Sequence, residues 1–132
     1  MTRLAATLPA DFPATPRFVT DDTLPELLEQ LRTEAGRHGV PLTITRIGRS
    51  RGGRPLYGLR LGDAPRAASI TAGAHADEPV GPMTAFALAL WCITTPAGRD
   101  LLCSFRFHLC PQVNPDGAEA NRQWFADPPN PI

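Results

Sequence analysis

The sequence predicts an α/β fold with a mixed sheet, and three observations lead to this class. Leucines at helical spacing indicate one amphipathic helix, and short apolar runs between glycine and proline clusters indicate four strands. The segments also follow the order helix, β-hairpin, strand, helix and strand. With 132 residues and 42% hydrophobic content, the chain has the size and composition of one domain, or of a piece of a larger one.

The first helix follows a proline-rich segment, residues 1–20, which we expect to be an extended arm. The helix begins near Asp22 or Thr23, carries Pro25 in its first turn and stops at Gly39. Its apolar stripe predicts a face packed against the core and consists of Leu24, Leu27, Leu28 and Leu31.

A β-hairpin comes next, with strands at residues 42–47 and 56–61 and a glycine-rich connection. Four arginines lie between positions 46 and 54, and such a cluster can bind phosphate groups. The 13 basic residues are nevertheless balanced by 13 acidic ones, so we interpret the cluster as a solvated turn. The same balance argues against nucleic acid and anionic membranes as partners.

The third strand, at about residues 68–72, consists of small and β-branched residues without alternation, which predicts burial on both faces. The second helix has Pro79 in its first turn and is apolar nearly all round as far as Ile93. This composition predicts a buried helix, and Pro96 and Gly98 are expected to end it.

The fourth strand, residues 105–109, follows a short helical turn near residues 99–103. Because a helix joins the third and fourth strands, we expect them to be parallel neighbours. The loops that follow the two strands should then meet at the same edge of the sheet.

Three cysteines, Cys92, Cys103 and Cys110, form an odd set without a Cys-x-x-Cys pair. This pattern favours reduced, buried thiols in a cytoplasmic protein. The first residues lack the apolar core of a secretory signal, and no apolar stretch approaches the roughly 18 residues of a membrane span. We therefore expect no membrane association, and the oligomeric state stays open.

A candidate metal site follows the third strand, where the sequence reads His-Ala-Asp-Glu at residues 75–78. The side chains of His75 and Glu78 can both reach one ion, and zinc accepts nitrogen and oxygen ligands together. A loop at the carboxyl end of a buried strand is also where open α/β sheets bind their ligands.

A second candidate follows the fourth strand, where the sequence reads Asn-Pro-Asp-Gly at residues 114–117. Asn, Pro and Gly occupy the positions that a type I turn favours. A plain turn is the alternative to a functional one, but its expected place beside residues 75–78 favours function.

With these motifs the chain resembles the zinc metallocarboxypeptidases, the carboxypeptidase A-like family, over roughly residues 42–125. The resemblance implies the N-terminal half of a three-layer α/β/α fold with a mixed sheet, occupying residues 21–132. The motifs appear in the family's order, and they are Gly-Arg-Ser at 48–50, Gly-Arg-Pro at 53–55, Gly-Ala-His-Ala-Asp-Glu at 73–78, Val-Asn-Pro-Asp-Gly at 113–117 and Asn-Arg at 121–122.

The resemblance implies that His75 and Glu78 are the first two ligands of a catalytic Zn²⁺. It also implies that Asn114 and Arg122 bind a peptide or peptide-like substrate. Arg122 would polarise the scissile carbonyl or hold the substrate carboxylate, and it would stabilise developing charge as an oxyanion hole does.

Two features leave alternatives open. Arg122 could instead be a surface residue that forms an ion pair with Glu119 or Asp127. Asp77 stands where digestive members of the family carry a substrate-binding arginine. Asp77 could support the metal ligands from outside, or it could cap the following helix, and we favour the cap.

The family's third zinc ligand and its general base are expected beyond Ile132. His38 and His108 do not replace that ligand, because we interpret both as structural or exposed. The alternatives to a peptidase are a deacylase of the aspartoacylase and succinylglutamate desuccinylase type and a non-catalytic interaction module. The deacylases usually carry Asn-Pro-x-Ala where this chain has residues 114–117.

With two ligands, the 132-residue chain is expected to bind zinc weakly and to show no peptidase activity, because catalytic zinc sites use three protein ligands. Zinc titration and a C-terminal peptide reporter measure the two properties. Tight stoichiometric zinc together with turnover of the reporter would contradict this expectation.

Overall fold

A computed structural model of the chain describes residues 18–123 and confirms the predicted mixed α/β class. The elements in chain order are α1 Leu24–His38, β1 Leu42–Arg49, β2 Pro55–Leu61, β3 Ala67–Thr71, α2 Val80–Thr94, α3 Pro96–Ser104, β4 Arg106–Cys110 and α4 Pro115–Ala120.

The four strands form one sheet in the order β1-β2-β4-β3. The hairpin β1-β2 is antiparallel, β2 pairs antiparallel with β4, and β3 pairs parallel with β4. The expectation of parallel neighbours joined through a helix is therefore confirmed. The carboxyl ends of β3 and β4 lie at the same edge, as the candidate motifs require.

One core lies between the sheet and the helices α1, α2 and α3. The apolar stripe of α1 packs in this core as predicted, and Leu31 is only 2% exposed. Ile93 of α2 and Leu61 of β2 are fully buried in the same cluster. The burial predicted for α2 is thus confirmed.

The predicted burial of the third strand on both faces is wrong. Ala68 and Ile70 are half-buried and pack against the core, but Ser69 and Thr71 are exposed. Small and β-branched residues without charge fit either situation, so composition did not distinguish the two faces. In residues 18–123 the helices of the core pack on only one face of the sheet.

Gly39 ends α1 in the left-handed conformation with φ of 64°, as predicted. Pro96 and Gly98 do more than end α2, because they lie in the first turn of α3. The Thr95 side chain caps α3 by accepting a hydrogen bond from the Gly98 N–H at 3.0 Å. The predicted turn at 99–103 is therefore part of a nine-residue helix.

Most of the predicted arm, residues 1–17, lies outside the described residues. Its described end is packed, since Val19 is 3% exposed and belongs to the core. No single helix of residues 18–123 is long and apolar enough to cross a membrane, and the pair α2 and α3, which passes by length and composition together, is bent by 96°.

The three cysteines are free thiols, as expected, but they are not all buried. Burial raises the pKa of the Cys92 thiol to about 12 and also raises that of half-buried Cys110. Cys103 is exposed near the end of α3, where the expectation of burial is wrong.

Substitution of Leu31 by alanine is expected to lower the free energy of unfolding by about 2–5 kcal/mol, because it leaves a cavity in the core. Urea denaturation followed by circular dichroism measures this change. The neighbouring exposed residue provides the matched control, and Gln30→Ala should change stability by less than about 0.5 kcal/mol. Equal losses in the two variants would contradict the assigned packing.

Candidate metal centre

The loops after β3 and β4 leave the sheet side by side. The Ala72 N–H donates to the Cys110 carbonyl at 2.9 Å, and the Val113 N–H donates to the Ala72 carbonyl at 3.0 Å. Gly73 then turns the chain with φ of 77°. A Cβ at Gly73 would overlap Oε1 of buried Gln112, so this close approach requires glycine.

His75 and Glu78 face each other across one tight turn. The Glu78 N–H donates to the His75 carbonyl at 3.2 Å, and the His75 Nδ1 and Glu78 Oε1 atoms lie 3.8 Å apart. Their side chains are 74% and 66% exposed and open onto a groove between the end of β3 and the start of α2. The predicted pair is therefore together and accessible.

The donor set of this pair fits part of a zinc site. Zinc ligands at roughly 2.0–2.2 Å in a tetrahedral site lie about 3.4 Å from each other, so a small adjustment of the 3.8 Å separation would suffice. Within residues 18–123, however, no group of three or more His, Cys, Asp or Glu side chains could hold a metal ion. His38 and His108 are exposed, as expected, in other parts of the fold.

Asn114 joins the two loops. Its Oδ1 accepts from the Gly117 N–H at 3.0 Å, and its Nδ2 donates to the Ala74 carbonyl at 3.4 Å. The predicted turn at 114–117 is thus the capped first turn of α4. The assignment of Asn114 to substrate binding stays a prediction. The favoured cap by Asp77 is absent, because no side chain caps α2 at Pro79.

Arg122 lies just beyond α4 and forms two ion pairs, one with Asp22 and one with Glu119, whose Oε1 lies 3.2 Å from Nη1. The pairing with Glu119 is the one foreseen as an alternative to a substrate role, whereas Asp127 lies outside the described residues. Asp22 was not expected as a partner. The catalytic role of Arg122 stays a prediction, and it requires the guanidinium to exchange these partners for substrate.

Asp116 is a feature of the site that sequence reasoning missed. Its Oδ1 accepts from the Ser50 hydroxyl at 2.7 Å and from Arg54 Nη1 at 3.0 Å, and its Oδ2 accepts from the Gly52 N–H at 2.9 Å. These bonds, that of Gly52 foremost, lower the pKa of the Asp116 carboxyl. We call this set of four residues the Asp116 clamp.

Arg54 also donates from Nε to Asp21 Oδ2 at 2.7 Å, and its pKa is raised by the hydrogen bonds to Asp21 and then Asp116. The interpretation of the arginine cluster as a solvated turn is therefore correct for the exposed residues Arg46, Arg49 and Arg51, but it is wrong for Arg54. The only sequence signal was the recurrence of the hairpin and Asn-Pro-Asp-Gly motifs in one family, because pairing across 62 residues leaves no local pattern.

Comparison with known proteins identifies a family and relatives that are similar to this chain. A family model described as zinc carboxypeptidase matches residues 27–129. Carboxypeptidase Z of Gallus gallus is 28% identical over 124 residues, which cover 85% of this chain and 19% of that protein. The chain therefore spans about a fifth of the length of this curated relative.

Two solved structures show the same fold. A metallo-carboxypeptidase from Burkholderia cenocepacia is similar with a TM-score of 0.65 at 22% identity, covering 82% of this chain and 33% of that one. Bovine thrombin-activatable fibrinolysis inhibitor, in complex with tick carboxypeptidase inhibitor, has a TM-score of 0.59 at 26% identity and coverage of 81% and 34%. The predicted carboxypeptidase-like fold class is therefore confirmed.

The contribution of Asp116 to stability is expected to depend on pH. Because its pKa is lowered from 3.8, the carboxylate stabilises the fold above that value, and the contribution is lost as pH falls through the lower folded pKa. The stability difference between the wild type and Asp116→Asn should be constant above about pH 5 and shrink below it. Urea denaturation between pH 2 and pH 7 measures this difference.

Exposed Gln30 on α1 provides the control, since Gln30→Ala removes no titratable group and should show no such dependence. A difference that stays constant down to the lowest pH would contradict the assigned hydrogen bonds.

Proposed function

Because this chain belongs to the zinc carboxypeptidase family, we propose that His75 and Glu78 are two zinc ligands of a metallocarboxypeptidase. The proposed reaction is hydrolysis of a C-terminal or other amide bond in a peptide-like substrate. One observation carries the proposal, which is the placement of the two donor atoms 3.8 Å apart after β3, inside the segment that the family model matches.

Zn²⁺ at this position would polarise a scissile carbonyl and lower the pKa of a bound water molecule. His75 would contribute a neutral ring nitrogen and Glu78 a carboxylate oxygen. The backbone hydrogen bond between these two residues holds both side chains on the same turn, which reduces the conformational entropy lost when they bind one ion. The further ligand and the general base would come from outside residues 18–123.

Arg122 and Asn114 are proposed to bind the substrate. An arginine can hold a terminal carboxylate through paired hydrogen bonds, so Arg122 would exchange Asp22 and Glu119 for the substrate. Asn114 uses Oδ1 for the helix cap, and only its Nδ2 group, with a long bond of 3.4 Å to Ala74, is available for a substrate oxygen.

Removal of either proposed ligand is expected to weaken zinc binding strongly. The variants His75→Ala and Glu78→Gln should each weaken zinc binding by more than the roughly 10–100-fold that loss of an outer hydrogen-bonding partner costs. Isothermal titration of the full-length protein and its variants with zinc, at one fixed pH, measures the affinity of each.

His108→Ala serves as the matched control, because His108 is exposed in β4 and should leave zinc affinity unchanged. Zinc binding that survives in both ligand variants would refute the metal site.

In the full-length protein, a reporter with a free C-terminal carboxylate should be cleaved faster than its amidated counterpart. Cleavage of an N-acyl aspartate or glutamate instead would indicate the deacylase alternative.

A further inference from the structure

The Asp116 clamp is more extensive than a helix start requires. Asp116 receives hydrogen bonds from three residues of the hairpin loop, although α4 is already capped by Asn114. A Cβ at Gly52 would lie 2.5 Å from Asp116 Oδ1, so the loop approaches the carboxylate too closely for a side chain. The backbone conformation of the loop therefore places it in direct contact with Asp116.

The hairpin loop that holds Asp116 is itself closed. The Ser50 N–H donates to the Arg54 carbonyl at 2.8 Å, and the Gly53 N–H donates to the Ser50 carbonyl at 3.1 Å. The Ser50 hydroxyl accepts from the Arg54 N–H at 3.0 Å, so its own proton is directed to Asp116. Arg54 is held from its other side by Asp21. Asp116 is thus attached to a loop that is hydrogen-bonded internally and to Asp21.

The opposite side of the same helical turn contacts the loop that carries the proposed ligands. A Cβ at Gly117 would lie 2.5 Å from the Ala76 Cβ, so the backbone of α4 packs directly against the residue after His75. Asn114 Nδ2 also donates to the Ala74 carbonyl. Residues on either side of His75 are therefore in contact with α4.

We infer that Asp116 is a positioning residue for the proposed zinc ligands. Asp116 attaches the first turn of α4 to the hairpin loop and so keeps α4 in contact with residues 74–76. This contact stabilises the backbone conformation that places His75 and Glu78 side by side. The relevance to zinc rests on the proposed function, whereas the mechanical link between Asp116 and the loop does not.

A carboxylate is required at this position because all three partners donate. Ser50, Gly52 and Arg54 present a hydroxyl, an amide N–H and a guanidinium N–H, and ionised aspartate is an acceptor only. Asparagine has the same shape but brings an NH₂ group toward at least one of these donors. Asp116→Asn therefore releases the clamp without changing the volume of the side chain.

Amide hydrogen exchange of the metal-free protein tests this inference. In Asp116→Asn, the Glu78 and Val113 amides, which are hydrogen-bonded within and beside the loop, should exchange about tenfold faster or more. Amides in the middle of α1, such as that of Leu31, should change by less than about twofold at a pH where the protein is fully folded. Asp100→Asn is the control and should alter none of these rates.

An unchanged Glu78 rate would overturn the inference, and so would an equal acceleration in α1, because the latter indicates a general loss of stability. If Asp116→Asn does not fold, Ser50→Ala removes one of the three donors and should give a smaller acceleration confined to the same amides. Unchanged rates in Ser50→Ala would then overturn the inference.

Zinc titration of the same variants separates this inference from the proposed function. Weaker zinc binding in Asp116→Asn, with the local acceleration, supports both. If His75→Ala leaves zinc binding unchanged while Asp116→Asn still loosens the loop, the proposed function fails and the positioning link stands. If His75→Ala abolishes zinc binding but Asp116→Asn changes neither exchange nor affinity, the positioning link fails alone.

Discussion

The parallel pairing of β3 and β4 is the constraint on which the rest of the structure depends. A parallel pair needs a crossover connection, and here the crossover consists of α2 and α3, which must return over one face of the sheet. That return buries Ile93 and the neighbouring apolar side chains in the core. It also brings the two following loops together, and the hydrogen bonds of Ala72 with Cys110 and Val113 extend the contact beyond the strands.

Much of this fold was predictable because its signals are local. The leucine stripe and Gly39 defined α1, and the glycine-rich connection defined the hairpin. Two sequence signals failed because each of them is compatible with two different structures. Proline is as favourable in the first turn of a helix as it is after the end of one, so Pro96 did not reveal α3. A strand of small residues such as Ser69 is compatible with burial and with exposure, and only the tertiary packing decides between them.

The same distinction between local and long-range contacts applies to the residues of the candidate site. The His75 and Glu78 pair was predictable because both residues lie on one turn, where spacing in sequence fixes distance in space. The role of Asp116 was not predictable, because its partners lie 62 to 66 residues earlier in the chain. Arg122 illustrates a third case, since one of its two partners, Glu119, is local and was foreseen, whereas Asp22 is not.

The close approaches at Gly52, Gly73 and Gly117 have a consequence for how this region can diverge among relatives. Each glycine leaves no room for a side chain, and the nearest neighbours of an added Cβ at the three positions are Asp116, Gln112 and Ala76. At Gly52 and Gly117 a larger residue must be accommodated by its neighbours, so these positions are constrained to change together with them. At Gly73 the φ of 77° disfavours a side chain even if Gln112 changes. The region is therefore defined by where side chains must be missing as well as by the groups that carry its chemistry.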